Sequence, residues 1–93
     1  MVVSVMTVKL YAPWVQSLKE KRMIAQSLCQ KLRNKFNVSV IESDAQDVQQ
    51  TIIISIAFLT DSSAKADQIS DKITRFIEGN VDAEIVDLAV EKV

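Results

Sequence analysis

Thr51 to Leu59 reads T-I-I-I-S-I-A-F-L, and no other stretch limits the fold as strongly. Its density of β-branched residues marks a strand, and both of its alternating faces are apolar. A strand of that kind belongs in the middle of a sheet. One Gly and one Pro among 93 residues leave little chain for long loops. Nearly everything else must therefore lie in helices or in the strands that flank this one.

The remaining segments fit that demand. Val2 to Tyr11 alternates, with Val2, Met6, Val8 and Leu10 on one face and Thr7, Lys9 and Tyr11 on the other, until Pro13 ends it. Ser17 followed by Glu20 is a capping box, in which the serine oxygen takes an orphan helix N–H and the glutamate reaches back to the serine N–H. The box opens a helix over 18–35. At about 100° per residue, Leu18, Ile24, Ala25, Leu28, Cys29, Leu32 and Phe36 share its core face. Asn37 to Ser43 alternates again, with Val38 and Val40 together, and a polar turn runs from Asp44 to Asp47. After the central strand, Asp61 or a neighbouring serine caps a second helix. Ala66, Ile69, Ile73, Phe76 and Ile77 line its inner face, and Gly79-Asn80 stops it. The last strand spans 83–90, with Val86, Leu88 and Val90 inward and Asp87 and Glu91 outward.

The order β-α-β-β-α-β predicts an α+β, ferredoxin-like domain over 1–93, a four-stranded antiparallel sheet with two helices on one face. Right-handed crossovers place strand 3 between strands 1 and 2, and strand 4 outside strand 1. Three segments then share one end of the domain: the loop carrying S-L-K-E-K-R (17–22), the hairpin between strands 2 and 3, and the turn near Glu78-Gly79-Asn80.

Charge divides the chain unevenly. Residues 1–36 hold seven cations against Glu20 alone, and residues 37–93 hold four against eleven carboxylates. Lys19, Lys21 and Arg22 crowd a helix N-terminus, where the macrodipole disfavours them. Either an acidic patch on the same chain or an anionic partner accounts for this. Lys19, Arg22, Gln26, Gln30 and Arg33 form a polar, basic flank of the first helix, with Lys31 and Lys35 on the opposite flank. Lys21 is the misfit, because its direction falls within the apolar sector. It is expected to snorkel toward the shared end, where Glu42, Asp44, Gln46, Asp47 and Gln50 gather as an ion-pair network or partner site. Glu42 and Asp44, two apart on a strand, are expected to point to one side, as a hard-cation site or acid/base pair would require. The nearby lysines would compete for the same oxygens, so no metal is expected.

Other chemistry has little to work with. There is no His, the single Cys29 falls on a core face, and Gly79 alone cannot build a phosphate loop. A non-enzymatic protein without a cofactor is expected. No signal peptide or membrane-spanning run is visible, which predicts the cytoplasm and no membrane partner. Base stacking on the sheet is disfavoured, because Val3, Val5, Thr7 and Lys9 face outward on strand 1 with Tyr11 only at its end. An RNA phosphate backbone meeting Lys19, Arg22, Gln26 and Arg33 is favoured, and DNA is not expected. The bare sheet face carries the alternative reading, a homodimeric or regulatory interaction module over Val3, Val5, Ile41, Ile53, Ala57 and Ile85. Trp14 stands just ahead of the basic cap, either as a contact aromatic or as a lid on the core.

Four ordered motifs carry a resemblance over essentially the whole chain: S-L-K-E-K-R (17–22), L-R-N-K-F-N-V-S-V (32–40), E-x-D-x-Q-D (42–47) with Gln50, and R-F-I-E-x-N (75–80). Together they resemble the YlxP-like family of small bacterial proteins. The resemblance implies a ferredoxin-like fold and a cytoplasmic factor that associates with rRNA or a ribosomal particle during ribosome maturation. It implies no catalytic residues. Ala45 and Gln49 depart from it, since His and an aromatic residue are common there.

Overall fold

The computed structural model describes residues 1–93, in the order β1 (Val2–Tyr11), α1 (Leu18–Lys35), β2 (Ser39–Asp44), β3 (Thr51–Thr60), α2 (Ser63–Asn80) and β4 (Glu84–Lys92). The sheet runs β2-β3-β1-β4, and every neighbouring pair is antiparallel. This is the α+β, ferredoxin-like βαββαβ arrangement. β3 occupies the interior place that its two apolar faces require. Its Ile52, Ile54 and Ile56 are fully buried toward the helices, opposite Leu10, Val8 and Met6 of β1. Burying each such isoleucine contributes about 1.5–3 kcal/mol. Ala25, Leu28, Cys29 and Leu32 of α1, with Ala66, Ile73 and Ile77 of α2, close the core from above. Phe36 and Phe76 join the helices edge to face, with ring centroids 5.5 Å apart.

The helix starts follow their local chemistry. Ser17 Oγ accepts from the Glu20 N–H at 3.0 Å and Ser62 Oγ accepts from the Lys65 N–H at 3.2 Å. The returning arm of the first cap differs from expectation. Glu20 Oε2 accepts from the Gln16 N–H at 3.3 Å rather than from that of Ser17. The far end of α2 also differs, because Gly79 lies inside the last turn and adopts no positive φ. The chain leaves the helix through an extended Val81 instead of a left-handed glycine cap.

Two irregularities turn side chains over. β2 shifts register between Glu42, opposite Ile54, and Asp44, opposite Ile53. The extra residue, Ser43, sends Glu42 and Asp44 to opposite faces, so the expectation that they point to one side is wrong. β4 shifts between Asp87, opposite Lys9, and Ile85, opposite Leu10. Ile85 therefore packs against the core and does not belong to the bare face, where the alternating pattern placed it.

The two sheet edges are finished differently. Val3 and Val93 exchange both backbone hydrogen bonds, so the odd-numbered residues of β1 bond toward β4 and the even-numbered ones toward β3. Propagated across the sheet, this turns the backbone groups of Val40 and Glu42 outward on the β2 edge. Both of those carbonyls are capped by side chains: Arg33 Nη2 donates to Val40 O at 2.8 Å and Gln46 Nε2 to Glu42 O at 3.2 Å. On β4 the same alternation turns Leu88 and Val90 outward. α1 packs on β2 and β3 and α2 on β1 and β3, leaving β4 beyond them. Leu88 and Val90 face the helix side, as expected, opposite Val8 and Met6, yet they are 38% and 43% exposed.

Candidate functional site

The shared end of the domain assembles as topology requires. Ala12 N–H donates to Gln50 O at 2.8 Å, and Gln50 Nε2 donates to Pro13 O at 2.9 Å and to Val15 O at 3.4 Å. Gln50 thus ties the β2–β3 hairpin to the loop that launches α1. This fixes the direction in which the first turn of α1 presents its cations.

Lys21 goes inward. It is 0% exposed, and its Nζ lies 2.8 Å from Glu42 Oε2, whose side chain is 18% exposed. The ammonium also donates to Ala45 O. Ala45 presents that carbonyl from a left-handed backbone, φ 56°, which costs a residue with a Cβ about 1 kcal/mol. The expected ion pair between the first turn and the hairpin is therefore Lys21–Glu42. Asp44 and Asp47 take no part in it. Asp44 Oδ1 accepts from the Ala45 N–H at 2.7 Å and so shapes the turn, and both residues are exposed. With Glu42 committed to a buried ammonium and Asp44 on the other face, the carboxylates do not converge on one point. They lack the geometry for holding a cation or sharing a proton.

Lys19, Arg22 and Gln26 stand exposed along the flank of α1, at spacings that put them on one side of the helix. Arg33 continues that row about 21 Å from Lys19. It has a second duty, the bond to Val40 O, which its place in the sequence did not reveal. Three ion pairs exist in the protein: Lys21–Glu42, Lys65–Asp61 at 3.2 Å and Lys92–Asp67 at 2.6 Å. Of the seven cations in residues 1–36, only Lys21 is in one of them. The acidic half of the chain does not neutralise the basic half pair by pair.

On the other flank of α1 a groove of about 600 Å³ runs toward the end of α2, with Trp14, Met23 and Lys31 on one wall and Glu78 to Asp82 on the other. Trp14 and Met23 are 43% and 63% exposed, so both present apolar surface to this groove. The outer sheet face holds half-buried Val3, Val5, Ile53 and Ala57 beside Ile41, 60% exposed. Leu59, opposite Val3 and 62% exposed, joins this patch. Cys29 is buried in the core, and burial pushes its thiol pKa up. The nearby Arg33 charge opposes that shift and Glu42 adds to it. No helix is long and apolar enough to cross a membrane.

Fold and shared end together define a small ferredoxin-like protein with an ion-paired loop joint and an open basic helix flank. Residues 3–90 match the family described as "Protein of unknown function (DUF503)", and the chain belongs to that family. Over 62 residues it is 34% identical to the Uncharacterized protein YlxP of Bacillus subtilis (strain 168), an alignment covering 67% of each chain.

Proposed function

We propose that this protein is a non-enzymatic RNA-binding factor that docks on rRNA in a ribosomal particle through the exposed flank of α1. One observation carries the proposal. Lys19, Arg22 and Arg33 on that flank, like Lys31 and Lys35 on the opposite one, lack a carboxylate partner, while the helix's one inward cation is paired. A row of unpaired cations on a rigid helix costs stability through mutual repulsion unless a polyanion meets it. The YlxP-like motifs point the same way, toward ribosome maturation. Gln26 and Gln30 between the cations supply hydrogen-bond donors for phosphate and sugar oxygens. The acidic remainder of the chain turns a polyanion away from other approaches. Binding positions the protein by backbone charge, and the site lacks the exposed strand aromatics of sheet-based base readers.

The test is co-sedimentation of the purified protein with ribosomal subunits over a salt series. Binding should fall steeply as salt rises, since each phosphate contact releases roughly one counterion. Lys19→Gln with Arg22→Gln removes two contacts and no structural bond, so the logarithmic salt slope should drop by about 1.4–1.8 with the fold intact. Wild-type co-sedimentation by this double variant would remove α1 as the contact surface.

A further inference from the structure

We infer that the β4 edge is a self-association surface, where a second copy of this chain adds its own β4 antiparallel to the first and extends the sheet across a two-fold axis. Three observations lead there. The β2 edge is closed, because Arg33 and Gln46 cap its outward carbonyls at Val40 and Glu42. The β4 edge has no such cap over its carbonyls. Its Leu88 N–H reaches only the neighbouring Asp87 Oδ1, at 2.9 Å, a bond that a partner strand replaces. Finally, neither helix covers the inner side of β4 at Leu88 and Val90, which stay 38% and 43% exposed along that free edge. Unpaired backbone groups beside an uncovered apolar row match a strand better than any other occupant.

The strand is also complementary to itself. With the two-fold axis at Leu88, the two leucines face each other, and the β-bulge at Val86 ends the regular pairing on either side. In that register Asp87 meets Ala89 on both sides of the axis, so no carboxylate opposes another within the regular stretch Asp87–Ala89. Moving the axis to Ala89 would set Asp87 against Glu91, which cross-strand repulsion disfavours. An isologous pairing of this kind closes at two copies and leaves no free β4 edge. It also leaves the flank of α1 open, because that helix lies over the far side of the sheet on β2 and β3.

β4 carries Glu84, Asp87 and Glu91 against Lys92 alone, so the approaching edges share a negative charge. Dimerisation should therefore tighten as salt rises, opposite in sign to RNA binding. Analytical ultracentrifugation of the full chain should give a two-chain mass that shifts toward dimer between low and high salt. Leu88→Lys places two ammonium groups at the axis and should give a folded monomer by circular dichroism, whereas Val5→Lys on the outer face should leave the dimer intact. Leu88→Cys should form an interchain disulfide under mild oxidation, because a directly opposed antiparallel pair lies within disulfide reach. A one-chain mass at all salt concentrations overturns the proposal. So does a dimer that Val5→Lys dissociates and Leu88→Lys does not, which would place the second copy on the outer face.

Discussion

Lys21 is 0% exposed, yet its ammonium lies 2.8 Å from Glu42 Oε2, so the most deeply buried charge in the protein bridges the first turn of α1 to β2. The two partners are unequally shielded, since the Glu42 side chain keeps 18% of its surface. That inequality decides what each substitution costs. Glu42→Ala strands a dry ammonium and should lower stability by about 3 kcal/mol, the usual cost of breaking a buried pair from one side. Lys21→Met fills the same space with apolar atoms and lets the glutamate turn to water, so its cost should be nearer 1–2 kcal/mol. Urea unfolding of both variants measures the difference. Equal losses would show that Glu42 is as dry as its partner.

Arg33 serves two surfaces at once, the basic flank of α1 and the β2 edge. Arg33→Gln should lower stability by about 1 kcal/mol through the lost bond to Val40 O. It should also uncap the β2 edge and raise the rate of aggregation on mild heating. Arg22→Gln on the same flank should do neither. Thermal unfolding followed by light scattering separates the two.

Ala45 holds φ 56°, in the left-handed region. Ala45→Gly removes the Cβ strain and keeps the carbonyl that accepts from Lys21. The relief exceeds the extra chain entropy of glycine in the unfolded state, for a net gain of about 0.5 kcal/mol. A rise in the urea midpoint with an unchanged slope is the expected result.

Cys29 gives the pH dependence a definite sign. Burial raises its folded pKa above the usual 9.0. Below pH 9 the thiol is protonated in both states and contributes nothing that depends on pH. Above it the unfolded chain loses the proton first and binds fewer protons than the folded chain, so stability falls as pH climbs. Cys29→Ser or Cys29→Ala should flatten that part of the profile above pH 9, measured against wild type by urea unfolding. For the same reason the native thiol should resist alkylation at pH 8 and react promptly in urea.

Local pattern alone determined most of the architecture. Two apolar faces made Thr51–Leu59 central, and the 3.6-residue period drew the core face of α1 and turned Lys21 into it. β-α-β-β-α-β with right-handed crossovers then leaves few ways to order four strands. These features follow from each segment's own periodicity, so they are legible without knowing its neighbours. The choice of Glu42 over Asp44 was not legible. It depends on Ser43 as an inserted residue, and a bulge is set by how two strands meet. Ile85 was misplaced for the same reason, because one extra residue in β4 reverses every facing before it. Arg33 shows the further limit. Its spacing on the helix announces a charged flank, but only the seating of α1 against β2 brings Val40 O within its reach. The exposure of Leu88 and Val90 was likewise settled by where two helices come to rest on a four-stranded sheet. Alternation says which way a side chain points, and tertiary packing decides whether anything is there to cover it.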